Sequence, residues 1–248
     1  MTTYNFTLNG VDSLPSDSAS SGWSNRYMGW FSYYSSENRY INLSATTTKW
    51  NIGSANITSS GKLYIDDTGT TSDYYGIFGF LKTGDGTNTI SLTYSQVNYY
   101  IGGSGSDILN VATYSQYINT SSGDDVVQLG AGWVGTVNLG KGANIIRTGS
   151  GGVTDILADW ESANFVTLGS GRVDNIRLGN SNNRIVTGTG GVGHIATYNG
   201  NDILIIGNGS NGWAADDIHL GEGNNTITTT AGGVGSITTC NGNDVITT

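Results

Sequence analysis

Nine times between residues 86 and 246 the chain places asparagine or aspartate at the third position of a short recurring unit. The positions are Asn88, Asp107, Asp125, Asn144, Asn164, Asn183, Asp202, Asn225 and Asp244. They lie 19, 18, 19, 20, 19, 19, 23 and 19 residues apart, and an aliphatic residue follows each at the second place on, as Leu109 follows Asp107. Amides and carboxylates repeated in this way form a file of side-chain acceptors, and the amides are donors as well. Such a file can bond to turn amides and to its own members, as stacked amides do. A register held over nine repeats requires a stacked coil.

Other chemistry is sparse. His194 and His219 are 25 residues apart, a spacing that brings no repeated carboxylate or serine to either, and both are read as outward surface histidines. No nucleophile arrangement, zinc spacing or phosphate loop is present, so no catalytic residue is assigned and an enzyme is not expected. Cys240 is the single cysteine, which excludes an internal disulfide framework. Trp133, Trp160 and Trp213 all fall at turns. Two readings of them stay open: exposed indoles for sugar stacking, or shields over the edge of the coil.

The elements that position the file follow from the same period. Each unit reads as two halves, and each half as turn, short alternating strand, then glycine. Alternate strand residues face one way, so Asn144, Ile146 and Thr148 are expected to point inward together. Ile146, Val166, Ile185, Leu204, Ile227 and Ile246 form one interior column on this reading. The second half has its own column, Val137, Ile156, Ile176, Ile195, Ile218 and Ile237. The 39 glycines recur at corners, where only glycine reaches positive φ cheaply. The expected fold is all-β: a right-handed parallel two-sheet β-solenoid, about nine rungs and roughly 40 Å tall at ~4.8 Å per rung. Residues 83–248 carry it. Residues 1–82 are aromatic-rich without a fixed period and are read as an irregular β-rich N-terminal cap with early rungs, which solenoids need over an open end.

Within this frame Gly102-Gly103-Ser104-Gly105-Ser106-Asp107-Ile108-Leu109-Asn110 fits Gly-Gly-x-Gly-x-Asp-x-aliphatic-x throughout. Asn199–Leu204 and Asn241–Ile246 are near matches. Residues 84–248 resemble the RTX (hemolysin-type) calcium-binding β-roll. That resemblance implies calcium as cofactor, held between successive turns by carbonyls and by Asp107, Asp125, Asp202 and Asp244. Hard Ca²⁺ takes six to eight oxygens. Asn at five of the nine positions departs from the family pattern and weakens each site it touches. Only Asp107 and Asp125 are adjacent acidic rungs, so the first site to fill is expected between them. Asp155, Asp174, Asp216 and Asp217 are placed at the opposite turns without the full motif.

Net charge of −9 and a pI near 4.4 argue against nucleic acid or anionic membrane as partner, and no apolar run approaches the ~20 residues of a membrane span. Met1–Phe6 lacks the basic and apolar regions of a signal peptide. With the resemblance, this points to an extracellular or cell-surface protein exported by a signal-peptide-independent route. Ile108, Val126, Ile145 and Phe165 fall on one outer row of successive rungs, followed by Arg184 and Ile203. Such a row exceeds what a soluble monomer usually exposes, and either the N-terminal region or another copy is expected to cover it. The unfinished rung Asp244–Thr248 is read as inviting head-to-tail stacking. The function expected is a self-associating structural or adhesive module of a surface layer, fibre or adhesin. The alternatives are polysaccharide binding through the three tryptophans and ice binding. The turn row Thr87, Ser106, Asp124, Ala143, Ala163, Asn182, Asn201, Asn224 and Asn243 is too irregular to favour ice.

Overall fold

The computed structural model describes the strands of the first 83 residues and, beyond them, residues 84–209, 212–230 and 232–248. Side chains are described from residue 77 onward and at Ile65. Among the described residues the chain is all-β and builds a solenoid of two parallel sheets. Sheet A has 12 strands in chain order, from Thr2–Thr7 to Val245–Thr247, and sheet B has 13, from Ser20–Ser24 to Gly233–Thr239. Every pairing is parallel except that of Ser20–Ser24 with Tyr27–Ser35. Thr2–Thr7, Arg39–Ser44 and Leu63–Asp66 join sheet A in line with the later rungs. These strands extend the sheet and do not lie across its face.

Register follows the repeat. Leu109, Val127, Ile146, Val166, Ile185, Leu204, Ile227 and Ile246 pair rung to rung in sheet A. Ile118, Val137, Ile156, Ile176, Ile195, Ile218 and Ile237 do so in sheet B. The two columns face each other, and most members are wholly buried. A third interior position of sheet A runs Leu129, Thr148, Leu168, Thr187, Ile206. Its threonines accept main-chain N–H bonds, Thr148 from Gly169 at 3.0 Å and Thr187 from Gly207 at 2.8 Å. The core is thin, one inward layer from each sheet. Stability therefore accumulates along the axis through nearest-neighbour rungs.

One turn position fixes the geometry at the edge leading from sheet B to sheet A. The residue two before each Asn/Asp has positive φ in Gly123 (133°), Gly142 (111°), Gly200 (149°), Gly223 (130°) and Gly242 (151°). Ser181 takes the same place at 96°. A Cβ on Gly142 would also lie 2.0 Å from the Gly123 carbonyl oxygen of the preceding rung. Glycine is required there twice over, for backbone conformation and for rung spacing.

Opposite substitutions in this column should have opposite signs. Gly142→Ala should cost at least ~1 kcal/mol. Ser181→Gly should relieve a strained φ and stabilise by about 1 kcal/mol. Urea denaturation of both variants gives the comparison. A neutral Gly142→Ala would show that the turn can rearrange.

The polar ladder and the outer faces as candidate functional sites

The Asn/Asp file lies inside. Asn88, Asp107, Asp125, Asn144, Asn164, Asn183, Asp202 and Asn225 are all buried. Its chemistry is an inter-rung bond that the β-ladder does not supply. In a parallel sheet each ladder carbonyl accepts from the residue after its neighbour, as Val126 N–H donates to Asp107 O at 2.8 Å. The ladder N–H itself points to the next rung and donates to that rung's side-chain oxygen. Asn88 N–H donates to Asp107 Oδ1 (2.9 Å), Asp107 to Asp125 (2.8 Å) and Asp125 to Asn144 (3.0 Å). Asn164 donates to Asn183 (3.0 Å), Asn183 to Asp202 (2.7 Å), Asp202 to Asn225 (3.0 Å) and Asn225 to Asp244 (2.8 Å). Seven of the eight steps are made this way, and Asn144 Nδ2 bonds to Asn164 Oδ1 at 3.2 Å in the eighth.

Asparagine and aspartate are not equivalent in this file. Each asparagine turns its Nδ2 back on the turn. Asn88 donates to Gly84 O and Gly86 O, Asn183 to Gly179 O and Ser181 O, and Asn225 to Gly221 O and Gly223 O. A carboxylate has no such donor, and its second oxygen must find a proton elsewhere. Beside Asp107 it is the Tyr100 hydroxyl, donating to Oδ2 at 3.2 Å. Beside Asp125, Asp202 and Asp244 the neighbour is a threonine five residues earlier, Thr120, Thr197 and Thr239. The asparagines Asn144, Asn183 and Asn225 have Leu139, Leu178 and Leu220 at that place, all buried. Two turn types thus recur over six of the nine rungs, Thr-x-x-Gly-x-Asp and Leu-Gly-x-Gly/Ser-x-Asn; Asn88, Asp107 and Asn164, with Thr83, Gly102 and Asp159 at that place, fit neither. This pairing was on the page in the sequence and is visible once the repeats are aligned five residues upstream.

The aspartates remain strained electrostatically. Burial pushes Asp107 up to about 7 and Asp125 up to about 6, against the N–H bonds that favour the charged form. Burial raises Asp202 as well. Asp244 accepts the same kind of N–H bond, from Asn225, yet is only partly buried, and its pKa is lowered. Desolvation decides the sign. Asp125 Oδ2 and Asp202 Oδ2 are buried without a hydrogen-bond partner.

The residues do not fit calcium. No three His, Cys, Asp or Glu side chains converge as a metal-binding group among the described residues. Asp107, Asp125, Asp202 and Asp244 each spend Oδ1 on the N–H of the preceding rung, and the Tyr100 hydroxyl occupies Asp107 Oδ2. Burial favours the protonated form of Asp107 and Asp125.

Two expectations about sheet B are corrected. Asp155, Asp174, Asp216 and Asp217 belong to the strands Val153–Leu157, Val173–Arg177 and Trp213–Leu220 and face outward from them, away from the turns. His194 does have a carboxylate partner, with Nδ1 2.9 Å from Asp217 Oδ2. The lengthened rung is the reason: it brings Ala215 level with Val192 and so Asp217 level with His194. The Ser236 hydroxyl bonds to the same carboxylate and, with His194, holds its pKa below the usual value. The serine bonds to Asp217 and not to the imidazole, so this trio is no nucleophile relay.

The three tryptophans do not share a surface. Trp133 and Trp213 stand where the chain passes from sheet A to sheet B, and Trp160 stands on the opposite edge. There Trp160 packs on Tyr198 two rungs away, ring centroids 4.2 Å apart, across Gly179. The turn row Asn182, Asn201 and Asn224 is also spoken for, because each Oδ1 accepts the N–H of the next row member. Ile108, Val126, Ile145 and Phe165 are in register on the outside of sheet A, then Arg184 and Ile203.

No protein-family model matches the chain, and neither the curated proteins nor the solved structures contain a significant match.

Four outcomes are expected from the ladder. Asn183→Ala and Asn164→Ala should each destabilise by about 1–3 kcal/mol, Asn183→Ala more, because it also orphans the Asn164 N–H. Asn183→Asp should be destabilised at pH 7 and recover towards pH 4, and Leu178→Thr should restore part of the loss; a double-mutant cycle in urea isolates the coupling. In the unmodified protein the folded state binds the extra protons, since Asp107 and Asp125 sit above their ordinary 3.8. Their contribution is therefore fully present below about pH 4 and is lost as pH rises to about 7. Millimolar calcium should leave the thermal midpoint unchanged, and a rise of several degrees would restore the metal reading.

Proposed function

We propose that the chain is a structural, self-associating module of an extracellular assembly, in which copies pack through the outer face of sheet A. The observation that carries the reading is the composition of that face. One column presents Ile108, Val126, Ile145, Phe165 and Ile203, and the neighbouring column adds Val186 and Ile205. Ile108 and Ile203 are 42% and 43% exposed, which is high for strand residues of this type. Between residues 88 and 247 no acidic side chain faces outward from the strands of sheet A, although the protein carries a net charge of −9. Its charged groups there are Arg147 and Arg184. The Arg184 guanidinium lies over the Phe165 ring, 5.0 Å from its centroid, within reach of cation–π attraction.

A sheet with an apolar column on its outer face, and no acid beside that column, suits a second copy of itself. Two such faces can interdigitate at the ~10 Å spacing of stacked sheets. Parallel rungs continued along the axis supply a stiff body for a fibre, layer or adhesin stalk. A divergent place among hemolysin-type β-rolls is part of this proposal, and the nonapeptide Gly102–Asn110 supports it. Export to the cell surface is likewise part of the proposal.

Sedimentation velocity tests the reading. Self-association at micromolar concentration is expected for the unmodified chain, and the pair Ile145→Asp and Phe165→Asp should abolish it with the β far-UV spectrum retained. A strictly monomeric unmodified chain at high concentration would overturn it.

A further inference from the structure

The edge leading from sheet A to sheet B carries a second regularity, independent of the apolar face. Its level positions on successive rungs are Tyr114, Trp133, Gly152, Arg172 and Gly191, linked by Ser115 N–H to Trp133 O, Val134 N–H to Gly152 O, Val153 N–H to Arg172 O and Val173 N–H to Gly191 O. Trp213, on the next rung, pairs with Gly233. From Trp133 onward a residue with a planar side chain therefore stands on every second rung, with glycine between; Trp213 lies one residue before Ala214, the position level with Gly191, and Tyr114 stands on the rung adjoining Trp133.

The glycines form the floor on which those planes lie. A Cβ on Gly135 would sit 3.3 Å from Trp133 Cη2, and one on Gly152 3.4 Å from Trp133 Cδ1. Cβ atoms on Gly191 and Gly193 would sit 3.9 and 3.2 Å from the Arg172 Nη1 and Nη2 atoms. One on Gly233 would sit 3.4 Å from Trp213 Cε3. Each plane is laid against the sheet and stays about half exposed: Trp133 is 46% and Trp213 57% exposed, and the Arg172 side chain 50%. Arg172 is pinned by Asp174 (Nε to Oδ1, 3.4 Å) and by Asp216 two rungs on (Nη2 to Oδ2, 2.8 Å). Tyr114 stacks beside Trp133 with centroids 5.7 Å apart.

We propose that this edge binds a neutral, extended polysaccharide of equatorially linked pyranose rings, laid along the solenoid axis. The residues that bear the planes recur every two rungs, about 10 Å, while the Arg172 guanidinium itself leans over the following rung onto Gly191 and Gly193. In such a glycan alternate rings turn over, so the same face recurs every second sugar, a repeat of about two rungs. Trp133 and Trp213, separated by two such repeats, would each meet the same face of a sugar, with the Arg172 guanidinium between them. Aromatic and guanidinium planes take the axial C–H face of a sugar, and the exposed carboxylates of Asp174 and Asp216 accept its hydroxyl protons. Asp155, Asp174, Asp216 and Asp217 on the adjoining face make an anionic glycan the wrong charge. Trp160, on the other edge and packed against Tyr198, has no part in it.

Titration of the full chain with β-linked hexasaccharides of glucose and of N-acetylglucosamine, followed by tryptophan fluorescence and calorimetry, tests the site. At least one should bind, and a trisaccharide, too short to span Trp133 to Trp213, should bind much more weakly. Trp133→Ala and Trp213→Ala should each weaken the hexasaccharide roughly tenfold. Gly152→Val, which lifts the Trp133 indole without removing it, should also weaken binding, whereas Trp160→Ala should not. An oligogalacturonate should bind less tightly than either neutral sugar. The Ile145→Asp and Phe165→Asp pair should bind sugar normally, which separates this proposal from self-association. No binding of either neutral hexasaccharide, or binding indifferent to both Trp133→Ala and Trp213→Ala, would overturn it.

Discussion

The structure depends on one bond that repeats: the buried N–H of each ladder residue donating to the side-chain oxygen of the rung above. A parallel stack leaves that N–H without a main-chain acceptor, and a buried unpaired N–H costs on the order of 1–3 kcal/mol. Repeated along the coil, the deficit would exceed the whole stability of a domain this size. Only a short side chain with an oxygen at the right reach can answer it, hence the restriction to Asn and Asp. The bonds all run one way along the axis, so the file is polar and its two ends differ.

Much else follows from seating that side chain. The turn before it must fold tightly enough to offer carbonyls to the asparagine amide. Glycine at positive φ provides that, and the absent Cβ lets successive turns approach. Where aspartate replaces asparagine the amide donor is lost, and a hydroxyl from Thr120, Thr197, Thr239 or Tyr100 stands near the second oxygen. The carboxylates are then close to the point at which holding a proton is easier than holding a charge. Asn at the remaining positions spares the file that conflict, which explains why the neutral residue predominates.

The period made the sheets, the interior columns and the inward file legible before any coordinates, because each follows from alternation and register. The outer row Ile108, Val126, Ile145 and Phe165 was legible for the same reason. Other features were hidden by assumptions about spacing. Asp155 and Asp174 read as turn residues because the second half of each unit has two outward residues between its buried ones, which breaks strict alternation. His194 and Asp217 seemed unrelated because their separation of 23 departs from the common period. The tryptophans looked like one set because "at a turn" does not say at which edge. The threonines paired with the aspartates could have been found by aligning the repeats further upstream.

The two edges of the coil tolerate change unequally. The edge bearing the file varies by a single residue, at Trp160–Glu161, and that addition is accompanied by Ser162, whose hydroxyl accepts from Gly142 N–H and donates to Gly140 O. Across it the main-chain step of the ladder gives way to a side-chain one. The opposite edge absorbs four extra residues before Ala215, and the next rung resumes with its ladder bond intact at 3.0 Å. One margin is therefore a spine, whose dimensions are set by hydrogen-bond reach. The other is a display margin, on which loops can lengthen and side chains can be exchanged without the coil losing count. A lineage of such chains could diversify along that margin while its scaffold stayed the same.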